Sequence, residues 1–122
     1  MPAIDTVARD FTAMLRAGEF EAAGEKFWAA DVTSIEPMDL PGGIPALVSG
    51  IESTRNKTRR KFSASRIDDL SIDGPFVTGN QFALFMDMVI VSRANGDSQP
   101  FTEIAIFTVR DAKITEERYF YD

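Results

Sequence analysis

Two carboxylates, Glu36 and Asp87, stand where this sequence could do acid–base chemistry. Glu36 closes the stretch 31–36, in which Val32, Ser34 and Glu36 fall on one face of a strand and Thr33 and Ile35 on the other. Pro37 ends the ladder there. A carboxylate at that lip is either a general base, its pKa raised by burial, or a group bonded to backbone at a strand end. Asp87 lies among Phe85, Met86, Met88 and Val89. An unpaired buried aspartate is costly, so it needs a partner or a proton. A hairpin closed around Asn95-Gly96 sets Glu103 opposite Asp87, and two facing acids can share one proton and split their pKa values. A second hairpin closed on Asp111-Ala112 brings Arg118 beside them. There it either neutralises an acid or orients a substrate carboxylate or enolate through its forked donors.

Other chemistries are excluded by composition. The chain has no histidine and no cysteine. It therefore lacks the usual general base, a thiolate nucleophile, a disulfide framework and the commonest metal ligands. Gly42-Gly43 between prolines is a turn and not a phosphate loop. No spacing of acids suggests Mg²⁺ or Ca²⁺. The expectation is chemistry without cofactor or metal. A net charge of −6 argues against a nucleic-acid binder. The basic run Lys57, Arg59, Arg60, Lys61 reads as the solvated end of a helix. The amphipathic start MPAIDTVARD is unlike a signal peptide and no stretch is long enough to span a membrane, so a cytoplasmic protein is expected.

The elements that must position these residues are legible from periodicity. The 122 residues favour one domain over 1–122, and 44% hydrophobic content supports a sizeable core. Ile4, Val7, Phe11, Met14 and Leu15 recur at helical spacing, and a second short helix follows with Phe20, Ala23 and Phe27 on one face. Residues 38–45, Met-Asp-Leu-Pro-Gly-Gly-Ile-Pro, form a turn-rich loop that Leu40, Ile44 and Leu47 make partly apolar. Ser49-Gly50-Ile51-Glu52 reads as a capping box opening a third helix that runs to about Lys61. Strands are predicted over 65–72, 80–93, 101–110 and 113–121. The hairpins put Phe85, Asp87, Phe101, Glu103, Phe107, Glu116, Arg118 and Phe120 on the pocket face. They leave Phe82, Leu84, Met86, Met88, Tyr119 and Tyr121 on the other. Both faces are largely apolar and three short helices cover one, so a homodimer through the outer face is expected.

Three helices followed by a curved sheet ending in VRDAKITEERYFYD resemble the nuclear transport factor 2-like superfamily, and within it the SnoaL-like branch. The resemblance covers nearly the whole chain, including the Ala17-Gly18-Glu19 break and residues 31–37. It implies an α+β cystatin-like fold, with three N-terminal helices on a highly curved, mostly antiparallel sheet forming a cone with an internal pocket. Glu36-Pro37 falls where ketosteroid isomerases carry their catalytic Asp-Pro. Their oxyanion tyrosine falls near Phe11 and their protonated aspartate near Ala105, neither of which can donate. Steroid isomerase activity is therefore not expected. Polyketide cyclases of this branch use one pocket carboxylate, a role open to Glu36 or Asp87. Ligand contact is expected from Phe11, Trp28, Met38, Phe85, Glu103, Phe107, Arg118 and Phe120. The expected function is a pocket for a small apolar or mixed-polarity organic ligand. That pocket serves either a cofactor-free isomerase, cyclase or lyase, or a non-catalytic ligand-binding or dimerisation module.

Overall fold

The computed structural model describes residues 3–122. Helix α1 spans Ile4–Arg16 and presents Val7, Ala8, Phe11 and Leu15 to the interior, as its spacing requires. Helix α2 follows at Phe20–Phe27 and leads directly into strand β1, Trp28–Ile35. A short strand β2, Leu47–Ser49, precedes helix α3, Ile51–Ala64. Four strands complete the chain: β3 Ser65–Thr78, β4 Gln81–Ser92, β5 Ser98–Arg110 and β6 Lys113–Phe120. They form one six-stranded curved, open sheet in the order β2-β1-β6-β5-β4-β3. Every pairing is antiparallel except β1 with β6. This is the expected α+β architecture.

The core lies between α1 and the sheet. Phe11 approaches Phe107 edge-on with centroids 5.0 Å apart, and Phe107 stacks on Phe82 at 4.9 Å. Leu84, Val32 and Ile114 are fully buried around them. Edge strand β3 is interrupted by register shifts at 68–71 and 73–76, with Pro75 between, which blunts it against pairing with another sheet.

Three expectations are corrected. Ser49 does not cap α3. It pairs with Thr33 in β2, and the cap residue is Gly50, at φ 90° with no side-chain hydrogen bond. In the first long hairpin Ser92 N–H bonds Asp97 carbonyl, so four residues fill the loop and Asp87 faces Thr102 in place of Glu103. That one-residue slip reverses β4, sending Phe82, Leu84, Met86 and Met88 inward and Asp87 outward. The second hairpin does turn on Asp111-Ala112, both at positive φ, and Arg110 pairs with Lys113. A bulge then places an extra residue, Thr115, between the pairs Val109–Ile114 and Thr108–Glu116. Beyond it the parity is inverted. Glu117, Tyr119 and Tyr121 point inward and Arg118 and Phe120 outward, opposite to expectation.

Candidate functional site

The concave face of the sheet, α3 and loop 37–46 enclose a cavity of about 440 Å³, within the usual range for a small-molecule site. One end is polar. There Glu36, carried past the end of β1 on the buried face it shares with Val32 and Ser34, meets Lys57 from α3, Nζ to Oε2 2.7 Å. Tyr121 Oη donates to the other oxygen of Glu36 at 2.8 Å. Lys57 also donates to Ser34 Oγ (2.7 Å), and Ser34 donates to Glu117 Oε2 (2.7 Å). Trp28 Nε1 completes the chain, donating to Glu117 Oε1 at 2.9 Å. Glu36, Lys57 and Glu117 are each no more than 4% exposed. Buried charges persist only when paired and hydrogen-bonded, and this network meets that condition.

Local sequence explains the placement. Thr54, Lys57 and Lys61 sit three and four residues apart on the face of α3 that meets the sheet. Gly24 in α2 lies directly under the Trp28 indole. A Cβ there would fall 2.3 Å from the ring, so only glycine lets the ring settle where it reaches Glu117.

The other wall is apolar and carries one ionisable group. Glu103, mid-strand in β5, faces the cavity among residues that include Met86, Met88, Phe101 and Phe107. Among the described residues it has no side-chain hydrogen bond and no ion pair, while Lys61 lines the same cavity without touching it.

Glu36 and Glu103 are therefore shifted in opposite directions. Burial alone would raise Glu36, but the Lys61 and Lys57 ammoniums and the hydrogen bonds from Lys57 and Tyr121 outweigh it and hold the carboxyl below its ordinary value. Burial raises Glu103 to about 7; Lys61 opposes the rise, and Glu36 and Glu117 add to it. Lys57 is lowered by burial, against the pull of Glu36. Tyr119 and Tyr121 are both pushed up, first by burial and then by the carboxylates beside them.

Of the residues expected at the site, the cavity brings together Phe11, Trp28, Glu36, Met38, Glu103 and Phe107. It excludes Asp87, Phe85, Arg118 and Phe120, all exposed on the convex face, where Arg118 pairs with Glu116 at 3.4 Å. Lys57, Lys61, Ser34, Glu117, Tyr119 and Tyr121 were not anticipated as site residues. The 54-57-61 spacing on α3 was the available signal for the two lysines. Nothing local to β6 announces the bulge that turns Glu117 and the tyrosines inward. No group of acids capable of holding a metal occurs among the described residues, and no helix there is long and apolar enough to cross a membrane.

The profile of the SnoaL-like domain family matches residues 3–121. A crystal structure from Mesorhizobium loti, provisionally named a SnoaL-like polyketide cyclase and carbohydrate phosphatase, is 35% identical. It is covered in full by 98% of this chain, with a TM-score of 0.89. A nuclear transport factor 2-like protein of unknown function from Burkholderia pseudomallei superposes with a TM-score of 0.83 at 14% identity, over 100% of this chain and 92% of its own. TerC, co-crystallised with polyporic acid, superposes at 0.74 with 15% identity, over 92% of this chain and 85% of its own. No functionally curated protein matches the chain.

Proposed function

The chain belongs to the SnoaL-like domain family of the nuclear transport factor 2-like superfamily, and we propose that it performs cofactor-free acid–base chemistry on a small, largely apolar carbonyl compound. The reaction class is isomerisation, cyclisation or lysis. The observation that carries this is Glu103, a carboxylate without a partner on an apolar cavity wall, raised to about 7. A base with that affinity for protons is half ionised at neutral pH and can both take and return one. Glu36, paired with Lys57 and bonded by Tyr121, is held ionised. In this reading it anchors the polar end, and Glu103 takes the acid–base role. Trp28, Phe11, Met38 and Phe107 supply the ligand-facing wall.

The test does not depend on the natural substrate. A panel of enolisable cyclic ketones in D2O is followed by NMR for protein-dependent exchange of α-hydrogens. Exchange should rise with pH through a midpoint near 7, level off above it, and disappear in Glu103→Gln. Equal exchange in wild type and Glu103→Gln would sink the assignment.

A second reading, a non-catalytic binding module, draws on the ion pair and tyrosine bond that hold Glu36 and on the two donors that hold Glu117. Direct NMR titration of the carboxylates separates the two. A Glu103 midpoint near neutrality favours catalysis, and an ordinary carboxylate value favours the binder. Assembly belongs to the same proposal. The convex face exposes the cross-strand row Phe85, Ile104 and Phe120, and we read it as the seat of a second copy of this chain. Ile104→Glu should give a monomer in sedimentation, whereas an unchanged sedimentation profile or a monomeric wild type removes that face from consideration. The absence of cysteine suits a reducing compartment, and the cytoplasm is the location we assign.

A further inference from the structure

Among the described residues, Lys61 is the cation lining the cavity that donates no hydrogen bond. Lys57, one helical turn earlier, is consumed: its Nζ touches Glu36 Oε2 at 2.7 Å and donates to Ser34. Arg60, the other cation lining the cavity, donates to the Gly42 carbonyl in the loop above. Lys61 Nζ lies 3.9 Å from a Glu36 oxygen that Lys57 already holds. Its side chain is 40% exposed, against 3% for Lys57. Among the described residues it donates no hydrogen bond, and the Tyr119 ring lies beneath it at 5.3 Å from the centroid. An ammonium has three N–H donors. Here they face a cavity that also contains an unpaired carboxylate, Glu103, which they do not reach.

We propose that Lys61 holds the negative oxygen of the ligand, so that the cavity selects compounds bearing an enolate or phenolate oxygen on an apolar frame. This deepens the acid–base reading above and rests on it. When Glu103 removes an α-hydrogen, the C–H bond breaks and an O–H bond forms on Glu103. The electron pair moves into the carbon–carbon bond, and the carbonyl π pair moves onto oxygen. The negative charge thus passes from Glu103 to the substrate oxygen, and the cavity's total charge is unchanged by the step. Preorganised donors are most effective where charge develops, and the Lys61 ammonium is positioned by α3 before the substrate arrives. Of the other charged groups at the cavity, Glu36 and Lys57 are paired, Glu117 is held by Trp28 and Ser34, Asp39 accepts the Ala46 N–H, and Arg60 donates to the Gly42 carbonyl. Phe11 and Ala105 offer no donor, and Lys61 is the cavity cation that, among the described residues, makes no hydrogen bond and is free to meet an oxyanion.

The experiment uses 2-naphthol, whose ionised and neutral forms absorb at different wavelengths. Titrated across pH with the full-length protein, the wild type should bind naphtholate in preference to naphthol. In Lys61→Met that preference should fall roughly ten- to a hundredfold, the effect of one hydrogen bond to a charged group. Neutral naphthol should bind both variants alike. Lys61→Gln provides a second neutral replacement should the methionine variant misfold, and Lys61→Arg should restore the preference. In Glu103→Gln the naphtholate preference should survive while ketone exchange is lost. This separates failure of the base assignment from failure of the oxyanion assignment. A wild type that binds only neutral naphthol, or none, overturns the proposal, as does an unchanged preference in both Lys61→Met and Lys61→Gln.

Discussion

At the polar end of the cavity, Glu36 sits in a bonded network: a lysine 2.7 Å away, a tyrosine hydroxyl at 2.8 Å, and a chain of donors continuing through Ser34 to Glu117 and Trp28. On the β5 wall, Glu103 faces the cavity beside methionine and phenylalanine side chains and, among the described residues, takes no side-chain hydrogen bond. The residue type is the same, yet the buried carboxyl of Glu36 is held down and the partly buried one of Glu103 is raised to about 7. Burial pushes both in one direction, and the presence or absence of a close cation decides the sign. A pocket built this way has one end that is fixed in charge and one that can exchange a proton. The division of labour between anchor and base follows from that.

The largest expected effect breaks the fixed end. Lys57→Met removes the close partner of buried Glu36, leaving it the more distant Lys61 and the Tyr121 hydroxyl, and should cost about 3 kcal/mol in urea denaturation at neutral pH. The double variant Lys57→Met/Glu36→Leu should recover most of that loss, because removing both partners of a buried pair is often close to neutral. Recovery of none would mean that the pair is not what holds this end together.

The pH dependence of stability should distinguish the two carboxylates next. Glu36, lowered in the folded state, stabilises the fold above its unfolded pKa of about 4.3, and that contribution is lost as pH falls through the still lower folded value. Glu103 runs the other way. The folded state holds its proton more tightly, so its contribution is fully present below about pH 4.3, declines as pH rises to about 7, and is level beyond. Glu103→Gln should therefore add up to about 3 kcal/mol above pH 7 and remove that decline. A variant with the same stability–pH curve as wild type would contradict the placement of Glu103 among apolar neighbours.

A smaller effect, about 1–3 kcal/mol, is expected from Gly24→Ala. The added methyl must displace the Trp28 ring and so loosens its bond to Glu117, and this outweighs the gain of about 1 kcal/mol in helix propensity. Thermal unfolding together with Trp28 fluorescence, a single-tryptophan signal, reads both consequences. Smallest of all should be Asp87→Asn on the convex face, within about 0.5 kcal/mol of wild type and with ketone exchange unchanged. A large loss of exchange there would restore Asp87 to the site and undo the contrast between the faces.

The sequence by itself determined the class of fold and the shape of the chemistry. Helical spacing marked Val7, Phe11 and Leu15 as the face of α1 that enters the core, and alternation placed Ser34 and Glu36 together on the buried face of β1. The absence of histidine and cysteine confined acid–base work to carboxylates, lysines and tyrosines. Strand parity was decided only in three dimensions. Side chains alternate with a period of two, so one extra residue in the loop after β4 reversed that strand, and one bulged residue, Thr115, reversed the part of β6 beyond it. They moved Asp87, Phe85, Arg118 and Phe120 out and brought Glu117, Tyr119 and Tyr121 in. β5 kept its expected face, which is why Glu103 and Phe107 line the cavity as anticipated. Lys57 and Lys61 illustrate the same limit on a helix. Their spacing placed them on one side of α3, but which side meets the sheet depends on Glu36, Ser34 and Glu117 arriving there from strands distant in the chain. A buried lysine and a solvated one are identical in sequence, and the difference lies in the acceptors that tertiary packing delivers.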